Sequence, residues 1–177
     1  MLTRVDRLPS RRMRLLSCVI VALSVSGAPA QAADPDDSSA AKAAITERLV
    51  HWTGAFNAKD LSAVCALFAP DLSYTVDEIV DGSRDQLCAN IGAALARPGL
   101  KLRYDEPTIH EMLVSGDLAV VRLTWTLTAE NNGARDVTTD EGMDVFRRAP
   151  DGVWSIARYI AFSTRPNAAL KAAVPPH

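Results

Sequence analysis

Three ionisable side chains stand among apolar neighbours, and the chemistry open to them is proton transfer. Asp144 is flanked by methionine and valine, His110 follows an isoleucine, and Asp77 comes directly after a strand-like segment. A carboxyl group that faces an apolar hollow has a raised pKa, and histidine titrates near neutral pH, so each can act as an acid or a base. We therefore predict Asp144, His110 and Asp77 as candidate catalytic residues.

Each candidate also has an ordinary structural explanation. Asp144 could lie on the outer face of a sheet beside Arg158, and His110 could be an exposed strand histidine. Side chains alternate across a strand, so Asp77 points away from a cavity unless a bulge turns it inward, and it is otherwise a solvated loop carboxylate. His51 is expected on the surface of a helix.

Motifs for other chemistries are missing from the sequence. It contains no His-x-x-x-His, no Cys-x-x-Cys, no Gly-x-Ser-x-Gly and no glycine-rich phosphate loop before a helix. These patterns accompany metal sites, nucleophilic serines and nucleotide binding. We expect neither a metal nor a cofactor.

Aromatic residues recur in the segments that carry the candidate acids, and they either fill the core or line a pocket. Together they favour an apolar pocket for a small hydrophobic or aromatic molecule. The predicted ligand-binding residues are Trp52, Tyr74, Trp125, Phe146 and Tyr159.

Three helices are predicted in the first half of the chain. Apolar residues follow a three-and-four spacing from Ala41 to about residue 57. Asp60 can cap a short second helix that ends before Pro70, and Ser83 can cap a third that runs to Ala96. A strand is expected at residues 72–76, followed by a polar loop around Asp81.

The second half of the chain predicts a meander of four strands, at about residues 101–114, 118–129, 136–148 and 153–163. Turn-forming residues separate them, which favours antiparallel hairpins. In the second strand alternate residues are apolar, so one of its faces belongs to the core. Helices followed by an antiparallel meander indicate an α+β domain with helices on one face of a curved sheet.

The N-terminus reads as a cleavable export signal. Five arginines precede an apolar run from residue 15 to about residue 25, and small residues follow through Ala32. Ser10-Arg11-Arg12 and the segment ending at Cys18 are weaker matches to twin-arginine and lipoprotein signals. We predict a signal peptide at residues 1–32, a flexible leader at 33–40, a folded domain at 41–165 and a loosely held tail at 166–177. The expected location is periplasmic or secreted.

The charge and the cysteine content limit the classes of partner and the cellular compartment that we expect. Removing residues 1–32 takes away five basic residues and one acid, which moves the net charge from -2 to -6. An acidic chain without a basic patch argues against nucleic acid and anionic membranes as partners. In an oxidising compartment Cys65 and Cys88 could form a disulfide, or they could remain two separate thiols.

Two stretches resemble a known superfamily. The stretch Phe56-Asn57-Ala58-Lys59-Asp60-Leu61 and the stretch from Ala66 to Asp71 resemble the first helical pair of SnoaL-like domains. Residues 141–148 and 150–158 are similar to the last hairpin of the same nuclear-transport-factor-2-like superfamily. The resemblance covers roughly residues 41–164. It implies a cone-shaped barrel, in which a strongly curved antiparallel sheet wraps around three N-terminal helices and leaves a cavity open at one end.

The ketosteroid isomerases of this superfamily use an aspartate base, with a tyrosine and a protonated aspartic acid that stabilise an oxyanion. The resemblance places Trp52 at the tyrosine position, Val76 at the base position with Asp77 next to it, and Asp144 at the position of the protonated acid. An indole N–H donates a hydrogen bond but does not exchange protons as a phenol does. Trp52 is therefore a departure from the isomerase pattern.

We expect an exported domain that binds a small molecule, and two functions are compatible with such a domain. One is a cofactor-independent isomerase or lyase that uses Asp144 with His110 or Asp77. The other is a non-catalytic module that binds a ligand or assembles with itself. The resemblance also implies a homodimer formed through the outer sheet face.

Overall fold

The computed structural model describes residues 35–77, 79–131 and 133–164. The predicted signal peptide and C-terminal tail lie outside these residues. None of the helices in the described ranges has the length and apolar character needed to cross a membrane.

The first helix, α1 (Pro35–Asn57), starts earlier than the sequence predicted. Residues 35–40 belong to it, so the prediction of a flexible leader through residue 40 was wrong for that part. Proline is favoured in the first turn of a helix because its fixed φ suits the turn and its missing N–H is not needed there. An ion pair between Asp37 and Arg148, with Oδ1 and Nη1 3.3 Å apart, holds the first turn against the sheet.

The second helix, α2 (Leu61–Cys65), is shorter than predicted. The Asp60 side chain accepts a hydrogen bond from the Ala63 N–H at 3.0 Å, as its capping role requires. The chain then enters strand β1 (Phe68–Val76), so Pro70 lies within a strand instead of ending a helix. The pairing of β1 is irregular between Phe68 and Ser73, where a residue without an N–H can be accommodated.

The third helix, α3 (Arg84–Ala96), follows the prediction closely. The Ser83 hydroxyl accepts a hydrogen bond from the Gln86 N–H and caps the helix. Cys65 at the end of α2 and Cys88 in α3 are joined by a disulfide, with Cα atoms 5.9 Å apart.

Within residues 35–164, as far as they are described, seven strands form one sheet. After β1 they are β2 (Ile79–Ser83), β3 (Leu100–Tyr104), β4 (Thr108–Ser115), β5 (Leu118–Asn131), β6 (Ala134–Arg148) and β7 (Trp154–Ser163). Their order is β2-β1-β7-β6-β5, and β3 and β4 both pair with β5. The β1–β7 pair is parallel and the other pairs are antiparallel. The sheet is curved but does not close.

Two sequence predictions about strands need correction. The predicted strand at 101–114 is two strands separated by residues 105–107, where Pro107 cannot donate a ladder hydrogen bond. The predicted loop around Asp81 contains strand β2, whose Gly82 pairs with Tyr74. The α+β class and the antiparallel meander are confirmed.

The core lies between α1 and the inner face of the sheet. Ile45 and Leu49 of α1 are fully buried, and so are Leu123 of β5 and Phe146 of β6. Phe146 was predicted to line the pocket, but it is packed within this core instead.

Candidate functional site

A cavity of about 190 Å³ lies between the helices and the inner face of β5, β6 and β7. Its surface is mostly apolar and aromatic, with two carboxyl groups. The residues that line it are Trp52, Phe56, Leu67, Phe68, Val76, Leu87, Ile91, Tyr104, Trp125, Asp140, Gly142, Asp144, Ile156, Tyr159 and Ala161.

Asp144 is the more buried of the two carboxyl groups of this cavity. It lies on the inner face of β6, opposite Val121 on one side and Tyr159 on the other. Its side chain is 4% exposed, and no hydrogen-bond or ion-pair partner for its carboxyl lies in the described part of the chain. Desolvation raises the pKa of Asp144 to about 7. The carboxyl can therefore be protonated or ionised near neutral pH.

The pairing of Asp144 with Arg158 does not occur. Arg158 lies on the outer side of β7 and contacts Asp71, with Nη1 and Oδ2 3.8 Å apart. Arg147 binds the same carboxylate through both of its terminal nitrogens. Both arginines therefore pair with Asp71, and neither is a counter-ion of Asp144.

Trp52 contributes its aromatic ring to the wall of the cavity. Its ring packs against Trp125 and Tyr104, with ring centroids 4.9 and 5.2 Å away. The indole Nε1 is buried and has no acceptor among the described residues. Buried donors are nearly always satisfied, so this N–H is an exception within the aromatic cluster.

Asp140 was missed by the sequence predictions. It lies four residues before Asp144 on the same face of β6, with Gly142 between them. Burial raises the pKa of Asp140, a hydrogen bond with Ser163 lowers it, and the nearby charge of Asp77 raises it. Strand alternation from Asp144 was the sequence signal that could have found it.

Asp77 lines a neighbouring hollow and not the first cavity. A second, more open hollow of about 490 Å³ adjoins the first and shares Val76, Asp140 and Tyr159 with it. Asp77 lines this hollow and accepts a hydrogen bond from the Ser163 N–H at 3.2 Å. The β1–β2 register shifts between Tyr74 and Val76, which is the kind of irregularity that reorients the end of a strand.

The two tyrosines among the predicted ligand-binding residues form a stack. The Tyr74 and Tyr159 rings are 4.9 Å apart and nearly parallel. Tyr159 lines both hollows, whereas Tyr74 lines only the outer one of the two. Burial raises the pKa of the Tyr159 hydroxyl above its ordinary value, so it stays protonated at neutral pH and can donate a hydrogen bond.

His110 lies on the other face of the sheet. Its Nε2 is 2.7 Å from the Thr124 hydroxyl, which in turn donates to Glu141 at 2.9 Å. These residues face outward, and none of them lines the cavity. His110 therefore lies outside the cavity that Asp144 lines, as the exposed-histidine interpretation has it, because the register of β4 on β5 turns it to the outer face. Across the described ranges, no group of three or more potential ligands could hold a metal ion.

Comparison with known proteins assigns the family. Residues 47–158, more than half of the chain, match the family model of the SnoaL-like domain. The chain belongs to the SnoaL-like domain family. The superfamily resemblance seen in the sequence is thereby confirmed. A search of curated proteins found no match to this SnoaL-like chain.

Solved structures share the fold of this SnoaL-like domain at low sequence identity. A conserved protein from Planctomyces limnophilus has a TM-score of 0.64 at 18% identity, over 71% of this chain and 98% of that one. A ketosteroid isomerase-like protein from Erwinia carotovora atroseptica has a TM-score of 0.57 at 23% identity, over 70% of this chain and 96% of that one. An NTF2-like protein with a cystatin-like fold from Novosphingobium aromaticivorans has a TM-score of 0.58 at 21% identity, over 81% of this chain and 99% of that one. These similarities establish the fold, which hosts enzymes and non-catalytic modules alike.

Proposed function

We propose that this SnoaL-like domain binds a compact apolar molecule and acts on it by general acid–base chemistry, as a cofactor-independent isomerase or lyase. The observation that carries the proposal is Asp144, a carboxyl group that is almost fully buried, has no protein partner among the described residues and lines the cavity. Burying an ionisable group without a partner costs stability, and such groups concentrate at functional sites.

The size of the inner cavity limits the ligand. Its volume of about 190 Å³ is somewhat larger than an engineered apolar cavity of about 150 Å³ that binds benzene. One aromatic ring or two small fused rings fit this space. A larger ligand would extend into the outer hollow past Tyr159.

The lining residues support a proton transfer beside a carbonyl group. Asp144, in its carboxylate form, removes a proton from the carbon next to the carbonyl. The hydroxyl of Tyr159 donates a hydrogen bond to the oxygen as negative charge develops on it. Asp144 then returns the proton to a different carbon in an isomerase, or a leaving group departs from the neighbouring carbon in a lyase.

The test uses 2-indanone, a compact ketone with acidic protons next to its carbonyl. Exchange of these protons for deuterium in D₂O is followed by proton NMR. We expect the protein to accelerate exchange, and Asp144→Asn to lose this acceleration by roughly a hundredfold. Glu141→Gln is the matched control, since Glu141 is on the same strand but its carboxyl contacts the outward Thr124.

Wild-type exchange no faster than in buffer, or exchange that Asp144→Asn leaves unchanged, would overturn the catalytic proposal.

The second candidate, a non-catalytic ligand-binding module, is favoured by Trp52, because an indole cannot pass protons as the tyrosine of the isomerases can. Binding of 2-indanone, seen as quenching of tryptophan fluorescence without accelerated exchange, would support that candidate.

We also propose that the protein is exported and acts in the periplasm or outside the cell. The arginine-rich start, the apolar run and the small residues before Ala33 support this. The start of α1 at Pro35 is compatible with cleavage after Ala32, which would leave the helix intact. Mass spectrometry of protein expressed with its own N-terminus is expected to find a mature chain that begins at Ala33. A cell-retained chain that still carries residues 1–32 would contradict export.

A homodimer is proposed through the outer face of the sheet. Met143 and Ile160 are cross-strand neighbours there, and Phe162 lies two residues further along the same face. All three are at least half exposed. An apolar patch of this kind is compatible with a symmetric pair of identical surfaces.

A further inference from the structure

We propose that the ligand of this cavity is an organic cation, an amine protonated at neutral pH and attached to a compact apolar or aromatic body. This inference rests on the proposed function, because it assigns a ligand class to the same cavity.

The charges around the two hollows are of one sign. Asp144, Asp140 and Asp77 line them, and among the described lining residues there is no lysine, arginine or histidine. An anionic ligand would meet repulsion without any compensating cation, whereas a cation would be attracted by all the ionised carboxylates. The lining therefore discriminates by charge as well as by shape.

The outer opening offers the best position for the positively charged nitrogen. Asp140 and Asp77 lie on either side of Ser163, which is opposite Asp140 in the β6–β7 ladder and donates its N–H to Asp77. A nitrogen here contacts two carboxylates and keeps part of its water shell on the open side. It thereby avoids the full desolvation that a charge beside the buried Asp144 would incur.

The inner cavity suits the remainder of such a ligand. Asp144 lies about 13 Å further along β6 than Asp140, at four strand residues of about 3.3 Å each. The rings of Trp52, Trp125 and Tyr104 line the cavity and provide an apolar surface for the body of the ligand. Asp144 is unpartnered and almost fully buried, so a polar group at the inner end of the ligand would satisfy it.

The test compares three probes with one skeleton and different charge: 3-phenylpropylamine, 3-phenylpropan-1-ol and 3-phenylpropanoate. Binding to the purified mature chain is measured by quenching of tryptophan fluorescence at pH 7. We expect the amine to bind at least about tenfold more tightly than the alcohol, because a hydrogen bond to a charged partner contributes more than a neutral one. The carboxylate should bind most weakly.

Three variants test which carboxylates cause the preference for the amine over the alcohol. Asp140→Asn should remove the advantage of the amine over the alcohol, and Asp77→Asn should reduce it. Glu141→Gln, which removes a carboxylate from the opposite face of β6, should leave it unchanged. Alcohol binding as tight as amine binding in the wild-type chain would overturn the cation assignment and leave the apolar cavity in place. Failure of all three probes to bind would overturn the ligand-binding proposal as well.

Discussion

At the scale of single residues, Asp144 has the largest electrostatic consequence. Its pKa is about 7 in the folded chain, against 3.8 for an exposed aspartic acid, because the apolar cavity disfavours the ionised form. The folded state therefore holds the proton over a pH range in which the unfolded chain has already released it. Stability must fall with rising pH through that range.

We expect the free energy of unfolding contributed by Asp144 to be highest below pH 4, to decrease between pH 4 and pH 7, and to level off above pH 7. The total decrease is roughly 4 kcal/mol for a pKa difference of this size. Asp144→Asn should remove this decrease. The measurement is urea unfolding of both proteins at intervals from pH 4 to pH 8.

The difference between variant and wild type isolates Asp144 from its titratable neighbours. Asp140 also has a raised pKa, and it contributes equally to both proteins. The Tyr159 and Tyr104 hydroxyls that face the cavity have pKa values raised above 10, so they stay neutral throughout this range. A difference profile that is flat across these pH values would mean that Asp144 is hydrated or paired in solution.

At the scale of secondary-structure elements, the β1–β2 pair depends on one glycine. Gly82 lies under the ring of Tyr74, and a Cβ atom at this position would overlap the ring. Tyr74 also stacks on Tyr159 of β7, so it cannot move without disturbing the wall of the cavity. The pairing of these two strands thus requires a residue without a side chain.

Gly82→Ala is expected to destabilise the protein by roughly 1–3 kcal/mol, the usual cost of forcing extra volume into a packed site. Gly54→Ala is the matched control, because its Cβ would meet no atom within 4 Å on the exposed face of α1. That change should stabilise the helix by about 0.5–1 kcal/mol. Thermal unfolding of both variants measures the contrast, and equal melting temperatures would contradict it.

The disulfide between Cys65 and Cys88 links α2 to α3 across 23 residues. Replacing both cysteines with alanine should lower the free energy of unfolding by about 3 kcal/mol, mainly because the unfolded chain regains conformational freedom. Denaturant unfolding of the double variant tests this, with the reduced wild type as a second measurement. No loss of stability in either sample would show that the two sulfurs are unbonded in the purified protein.

At the scale of the whole molecule, the proposed homodimer depends on the outer sheet face. Ile160 is 61% exposed and Phe162 56%, next to Met143 on the same face. Replacing Ile160 and Phe162 with aspartate should convert a dimer into a folded monomer, because like charges would face each other across the symmetric contact. Sedimentation velocity is the measurement.

The control for the dimer prediction is Val80→Asp, at an exposed apolar residue of β2, on the edge of the sheet. It should leave the oligomeric state unchanged. A wild-type protein that sediments as a monomer would contradict the proposal, as would a double variant that remains dimeric.

Local patterns in the sequence were sufficient for much of the fold. The Ser83 cap, the end of α3 and the alternation of β5 were all predictable, because each depends on residues close together in the chain. The split between β3 and β4 and the extension of β1 past Pro70 were not predicted. Those features depend on which neighbouring strand receives each backbone hydrogen bond.

The candidate site was likewise predictable from the sequence only in part. The types and spacing of residues identified Asp144 as an acid in apolar surroundings and Trp52 as a departure from the isomerase pattern. Strand alternation puts Asp140 on the same face as Asp144, but only the tertiary structure placed Asp77 at the second hollow and His110 on the outer face. The physical reason is strand register: a shift of one residue, or a single bulge, moves a side chain from one face of a sheet to the other, and register is set by contacts between residues distant in the sequence.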